Sequence, residues 1–507
     1  MKPHRLLLAS VFVVFAAAAP TAAPPQTVKL TILHTNDTHG HLLPFSYPQG
    51  TSAGSADGIR ERGDIGGIAR RAALFQRIQR ELQPGGGTVW LVDAGDFSDG
   101  TPFSTEYKGE ADVTAMNAAG YTLATIGNHE LNYPLAQTKK LIGLAKYPIL
   151  CANAVEASTG KPLAQQFRIE RVGSVRVGVF GLLTREAATY PAAKEGVTIL
   201  DEADTARKMV AMLRPKADII VLISHCGEEV DTQIAAAVPG IDVIVGGHSH
   251  SRLPSGEFVW RSEDLRADEV NGTVIVQAHQ WGGELGRLDL LFARDSRGAW
   301  RIDRYRARLL PIISTVSADS AVAAVVERFW APLAPKYGDI VGTAAGDFTS
   351  RGDDLAEYNL MADAIRETFG TEIELENMGG VRAPLVKGPI TGADIITMDP
   401  FDNTIVTFKI TGRQLRQVLV KHAPAVSGIR YRLENGELVE ATVGGQPLDD
   451  NRVYTGAANS YLAGFALTGV EIQKTGRARV DVLAEYIRGK GTIRPAYDGR
   501  RVVIRDR

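Results

Sequence analysis

Apolar runs rich in β-branched residues alternate with amphipathic helical stretches along most of this chain, which predicts an α/β protein. Two further observations refine that class. At 507 residues the chain exceeds what one core holds, and its pattern changes near Ala318, so two domains are expected. Many of the apolar runs also end on a polar side chain able to bind a metal, as happens where a sheet presents functional loops at its strand carboxyl ends.

The chain opens with Lys2 and Arg5, then an apolar stretch from Leu6 to Ala19, then small residues and prolines. This pattern reads as a signal peptide over residues 1–26, too short for a comfortable membrane span. The mature chain is therefore expected to be secreted or periplasmic, with no stable membrane insertion. Val28 to His34 reads as a strand running into Asn36-Asp37. Ile65 to Leu82 has helical periodicity and stops at Pro84-Gly-Gly-Gly. Thr88 to Val92 is a second strand, ending at Asp93-Ala-Gly-Asp96. A helix over Asp112 to Ala119 is closed by Gly120, and Thr122 to Ile126 leads into Gly127-Asn128-His129-Glu130. Val175 to Leu183, Ala217 to Ser224 and Ile241 to Val245 repeat the strand pattern, the last two ending at His225 and His248-Ser-His250. Val274 to Gln277 ends at Ala278-His279.

These elements assign residues 27–316 to the first domain. Ala318 to Trp330 reads as one helix broken by Pro332 and Pro335, which makes 317–338 a linker. A smaller α/β domain is expected over 339–507. Its helix signals are Leu355 to Phe369 and Gly412 to His422; its strand signals are Thr404 to Ile410 and Arg452 to Thr455.

Composition narrows the function classes. At 44% hydrophobic and 22% charged the chain is globular rather than disordered. A net charge of -2 offers no electrostatic reason to expect a nucleic acid polymer or an anionic membrane as partner. With Cys151 and Cys226 alone, a disulfide framework is excluded, and Cys226 is read as a buried thiol.

The polar strand ends carry the chemistry. On an extended segment Asp37 and His39 would share a face, since side chains alternate. Carboxylates mixed with imidazoles suit Mn²⁺, Zn²⁺, Fe²⁺ or Co²⁺ better than Mg²⁺ or Ca²⁺. Asp96 is the natural bridge between two cations, because its charge offsets their repulsion. Asn128 can offer an amide oxygen, His129 is free to face a substrate, and His225, His248 and His250 complete two coordination spheres. Such a set suits two divalent metal ions that activate water against a phosphate ester. His34, His41 and His279 are read as packing or supporting residues.

The stretches TNDTHGH, DAGDFSDG, GNHE, SHCGEEVD, GGHSH and QAHQWGGELGRLDL resemble the calcineurin-like metallophosphoesterases, and among them the secreted 5′-nucleotidase / UDP-sugar hydrolase group. The resemblance implies a first domain of two packed β-sheets flanked by helices (αββα) and a second domain that binds a nucleoside. It implies one metal on Asp37, His39, Asp96 and His250, a second on Asp96, Asn128, His225 and His248, and a catalytic His129. ENMGGVR, PFDNTI and ANSYLAGFALTG resemble the group's substrate segments, implying contacts from Asn377, Arg382, Phe401, Asn403 and Tyr461.

Three departures stand out. Where the group carries Asp three residues after its catalytic His, this chain has Asn132, which is expected to orient His129. A Gly-Gly-Asp-Gly stretch that supplies a ribose-binding carboxylate is replaced around Ala463 to Ala466, and the group's first substrate arginine has no clear match, Arg351 being offset. The expected activity is dinuclear-metal hydrolysis of nucleoside 5′-monophosphates or related small phosphoesters. The alternatives are the same centre acting on a cyclic nucleotide, UDP-sugar or thiosulfonate ester, or a periplasmic nucleotide-binding protein without turnover.

Overall fold

The computed structural model describes residues 27–47, 63–260, 272–295 and 297–505. The leader expected over 1–26 lies outside the described residues.

Two six-stranded sheets form the centre of the first domain. In the first, Thr27–Thr35, Thr88–Asp93, Leu123–Thr125 and Ile149–Leu150 run parallel. Glu284–Arg294 and Trp300–Pro311 extend it in antiparallel fashion beyond Thr27–Thr35. In the second, Val175–Leu183, Ile219–His225, Val243–Gly246 and Gly272–Val276 are parallel, edged by antiparallel Phe167–Val172 and Glu257–Trp260.

Period-two alternation explains why these strands are apolar throughout. Leu30 and Ile32 enter the core between the sheets, whereas Leu33 faces the outer helices. Likewise Val221 and Ile223 face the first sheet, while Ile220 and Leu222 pack under the helices Glu202–Leu213 and Glu228–Ala237. Both faces are buried, so no polar alternation survives in the sequence. The outer core of the first sheet is closed by Ile68–Leu82, Glu110–Ala119 and Ser320–Trp330, giving four layers in the order helix, sheet, sheet, helix.

The helix predicted from Ile65 begins at Ile68 instead. Ile65–Gly66 pairs with Pro44–Phe45 as a short antiparallel bridge, and Gly66 and Gly67 have φ of 73° and 90°, outside the helical region. Within Ser320–Trp330, Val322 and Val326 pack into the outer core of the first domain.

In the second domain a five-stranded sheet orders Ala425–Ser427, Ile373–Glu376, Val453–Asn459, Thr404–Thr411 and Ile472–Ala478. Helices Ala356–Phe369, Gly412–His422 and Arg479–Lys490 cover it, and a four-stranded sheet lies alongside. Thr411 caps the second of these helices through a reciprocal bond with Gln414.

Candidate metal centre

The parallel strands of both sheets point their carboxyl ends to one place. Asp37 follows Thr27–Thr35, Asp96 follows Thr88–Asp93, and Asn128 follows Leu123–Thr125. His225 closes Ile219–His225, and His248 follows Val243–Gly246. Residues distant in sequence thus arrive together because the two sheets pack face to face.

The expected extended Asp37-Thr-His39 segment is not extended. Asp37 and His39 have φ of 49° and 45°, and Asp96, His248 and His250 have φ of 52°, 74° and 54°. Left-handed backbone costs a non-glycine residue about 1–2 kcal/mol, so tertiary bonds must hold it. Asp37 N–H donates to the Gly95 carbonyl at 2.9 Å and His39 N–H to that of Asp96 at 2.9 Å, locking the two loops together. Strain gathered on five candidate ligands marks a site whose geometry is imposed by the rest of the fold.

Three groups of side chains each converge with ligand atoms within 4.8 Å of one another: Asp37, His39 and His250; His39, Asp96 and His129; Asp96, His225 and His248. Asp96 Oδ2 lies 3.1 Å from His225 Nε2 and 3.8 Å from His39 Nε2. His250 Nε2 lies 3.3 Å from Asp37 Oδ1 and 3.2 Å from His39 Nε2. Asn128 Oδ1 lies 3.1 Å from His225 Nε2, and its amide donates to the Tyr190 hydroxyl at 2.8 Å.

Main-chain acceptors select the tautomers. His39 Nδ1 lies 3.0 Å from the Asp99 carbonyl and His225 Nδ1 lies 2.7 Å from that of Ala94. A carbonyl only accepts, so each Nδ1 carries a proton and each Nε2 is the nitrogen turned to the site.

The charge balance fits a cation. Asp37 and Asp96 are 0% and 2% exposed, and among the described residues their ion-pair partners are imidazoles only. Burial opposes their ionisation, yet His250 and His225 hold the Asp37 carboxyl down at about 2. Burial likewise opposes ionised Asp96, but His225 and His129 keep it well below the carboxylate range. Burial disfavours charged His225, but the Asp96 carboxylate outweighs it and holds the imidazole up at about 10. Paired carboxylates, an amide oxygen and imidazoles whose Nε2 protons a cation would displace form a donor set for divalent metal.

Two supporting residues, Glu130 and Asn36, were not singled out from sequence. The Glu130 carboxylate accepts the backbone N–H groups of Asp96, Ser98 and Gly127 at 3.0, 3.0 and 2.7 Å, stapling two ligand loops. Asn36 Nδ2 donates to Asp37 Oδ2 at 2.7 Å while its Oδ1 accepts Ala278 N–H at 2.8 Å. His41 stacks on Trp281 with centroids 4.4 Å apart, and His34 packs where Gly286 leaves room for its ring.

Asn132 does not orient the His129 ring. Its amide donates to Asp99 Oδ2 at 2.7 Å, and the same oxygen lies 2.7 Å from His129 Nδ1. The polar residue three positions after His129 reaches the ring only through this carboxylate from the neighbouring loop.

In the second domain Asn377 Oδ1 accepts the Asn459 amide at 2.8 Å and Asn403 Oδ1 accepts the Ser460 hydroxyl at 3.1 Å. Phe401 is half-buried. Tyr461 is 62% exposed and meets Phe465 edge to face at 5.3 Å. Burial holds the His39 imidazole well below its usual range. Burial also opposes protonation of His129, but there the Asp96 and Asp99 carboxylates outweigh it and raise the imidazole. The Arg382 charge from the second domain is a small opposing influence on both rings. Buried Arg479 ties these segments together. It donates to Asp399 at 2.6 Å, to Glu376 at 2.9 Å and to the Gly380 carbonyl, and its backbone N–H donates to the Asn403 carbonyl at 2.9 Å. Arg351 instead stacks on Tyr497 at 3.9 Å.

Comparison with known proteins agrees with this architecture. A 5′-nucleotidase of Vibrio vulnificus is 28% identical over 530 residues, covering 93% of this chain and 92% of that protein. The UshA protein of Escherichia coli is 26% identical over 512 residues, covering 90% of this chain and 89% of its own. The crystal structure of a 5′-nucleotidase precursor from Thermus thermophilus superposes with a TM-score of 0.82 at 26% identity, over 94% of this chain and all of that one. Residues 30–252 match the calcineurin-like phosphoesterase family model and residues 340–468 match that of the 5′-nucleotidase C-terminal domain. The chain thus belongs to the metal-dependent phosphoesterases that join a calcineurin-like phosphoesterase domain to a 5′-nucleotidase C-terminal domain.

Proposed function

We propose that this chain is an exported phosphohydrolase that holds two divalent cations and removes phosphate from nucleoside 5′-monophosphates or closely related nucleotides. The observation that carries the reading is the position of Asp96, whose carboxylate belongs to two donor groups at once. Asp37, His39, Asp96 and His250 would hold one ion; Asp96, Asn128, His225 and His248 would hold the other. Such a pair, when bound, supplies hydroxide near neutral pH and offsets phosphoryl charge. The mixed carboxylate and imidazole donors suit manganese, zinc, iron or cobalt.

The protein's own groups complete the chemistry. His129 Nε2 lies 3.9 Å from Asp96 Oδ2, on the side of the ring that faces the centre. From there it would donate a hydrogen bond to a phosphoryl oxygen and a proton to the leaving group. Arg382 would take a phosphate oxygen from the second domain. Phe401 and Tyr461 would present ring faces to the base, with Asn377 and Asn403 as polar contacts, and stacking of this kind accepts any base. Residues 1–26 would direct export.

The test uses the mature chain from residue 27 with each of the four metals in turn. AMP should release phosphate at a rate of order 1–10³ per second. No release from AMP or from p-nitrophenyl phosphate with any of the metals would contradict the reading.

A further inference from the structure

We propose that Asp99 is the positioning carboxylate of His129, and that Asn132 is its brace. The inference rests on the role proposed above for His129. Asp99 Oδ2 lies 2.7 Å from His129 Nδ1 and also accepts the Asn132 amide at 2.7 Å. Two donors on one oxygen fix the carboxylate in direction as well as distance. The loop spends backbone strain to put it there, since Asp99 has φ of 70° and is 8% exposed.

The same residue serves a second imidazole. Its carbonyl lies 3.0 Å from His39 Nδ1, while its side chain holds His129. The two rings stand edge to face, with centroids 4.8 Å apart and planes at 88°. One residue thereby sets the orientation of a candidate metal ligand and of the group that faces the substrate. With Nδ1 committed to Asp99, the remaining ring nitrogen of His129 is turned toward Asp96 and the centre. As the P–O bond breaks, the Nε2 proton would pass to the leaving oxygen, and Asp99 would hold the ring in line while it does so.

The expected signature separates positioning from scaffolding. Asp99→Asn keeps the shape of the side chain but presents an uncharged amide to Nδ1. It should lower kcat on AMP by about 10–100-fold with KM and bound metal unchanged. The loss should be smaller on p-nitrophenyl phosphate, whose leaving group needs no proton. Adding Asn132→Asp should return a carboxylate to reach of His129 and restore most of the rate. A kcat within about twofold of wild type would overturn the proposal, as would metal loss or an equal loss on both substrates that Asn132→Asp leaves uncorrected. His129→Ala is measured in parallel. If it is inactive while Asp99→Asn is fully active, only this inference falls; if both are active, the role given to His129 falls as well.

Discussion

Asp96 holds His129 at both ends. Its Oδ1 accepts the His129 backbone N–H at 2.8 Å, and its Oδ2 lies 3.9 Å from Nε2 of the ring. The carboxylate shared between the donor groups therefore also registers the residue proposed to face the substrate. Metal binding and chemistry would then be coupled through one side chain.

The coupling can be separated by deleting the ring alone. His129→Ala leaves the Asp96 contact to the backbone N–H in place. Its kcat should fall by about 10²–10⁴-fold, with the metal content of wild type. Elemental analysis alongside steady-state kinetics checks both halves, and a variant depleted of metal would contradict the assignment.

Gly127 has no room for a methyl group. A Cβ there would lie 2.0 Å from Asp96 Oδ1 and 2.5 Å from its backbone nitrogen. Overpacking of this kind costs about 1–3 kcal/mol, and here the strain falls on the shared carboxylate. Gly127→Ala should therefore weaken metal binding more than it lowers the melting temperature. Titration of the metal-free variant by calorimetry gives the comparison.

Arg479 is wholly buried against Glu376 and Asp399, which are themselves buried. Arg479→Leu would leave both carboxylates without their cation, and breaking a buried pair costs about 3–5 kcal/mol. Denaturant unfolding should show a destabilised second domain. The substrate segments Asn377–Arg382 and Asp399–Asn403 should loosen with it, raising KM for AMP.

Much of this architecture was legible in the sequence, and the reasons are specific. Val175–Leu183 reads as a strand because both of its faces are buried, and the same holds for Ile219–His225. The candidate ligands stood out because His and Asp at strand ends have no packing role that would place them there. The left-handed backbone at Asp37 and His39 was not visible, since bonds to Gly95 and Asp96, about sixty positions away, impose it. Asp99 was passed over because its partner lies 30 residues on, and a third Asp after Asp93 and Asp96 reads as a solvated turn. Arg479 sits in a basic stretch, Lys474-Thr-Gly-Arg-Ala-Arg479, that resembles an exposed loop edge. Only the fold shows its carboxylate partners.

Asp112 gives a pH test independent of the metals. It is buried, its Oδ2 accepts the Ser104 hydroxyl at 3.1 Å, and its Oδ1 has no partner. Burial, only partly offset by that bond, pushes its carboxyl up to about 7 from 3.8. A raised acid stabilises the fold fully below its unfolded value, and the benefit is lost as pH rises through the folded value. Asp112→Asn cannot ionise, so its stability relative to wild type should climb between pH 4 and 7 and level off above that. Urea unfolding at pH 5 and pH 8 checks the sign, and a variant that is less stable relative to wild type at pH 8 than at pH 5 would refute it.

The most direct test is a count of metal ions and their positions. Anomalous diffraction from crystals grown with Mn²⁺ should reveal two ions per chain, flanking Asp96, with Asp37 and His250 on one side and His225 and His248 on the other. Asp96→Asn should abolish that paired density and hydrolysis together. A single ion, or two ions that leave Asp96 without a bond to either, would contradict the account.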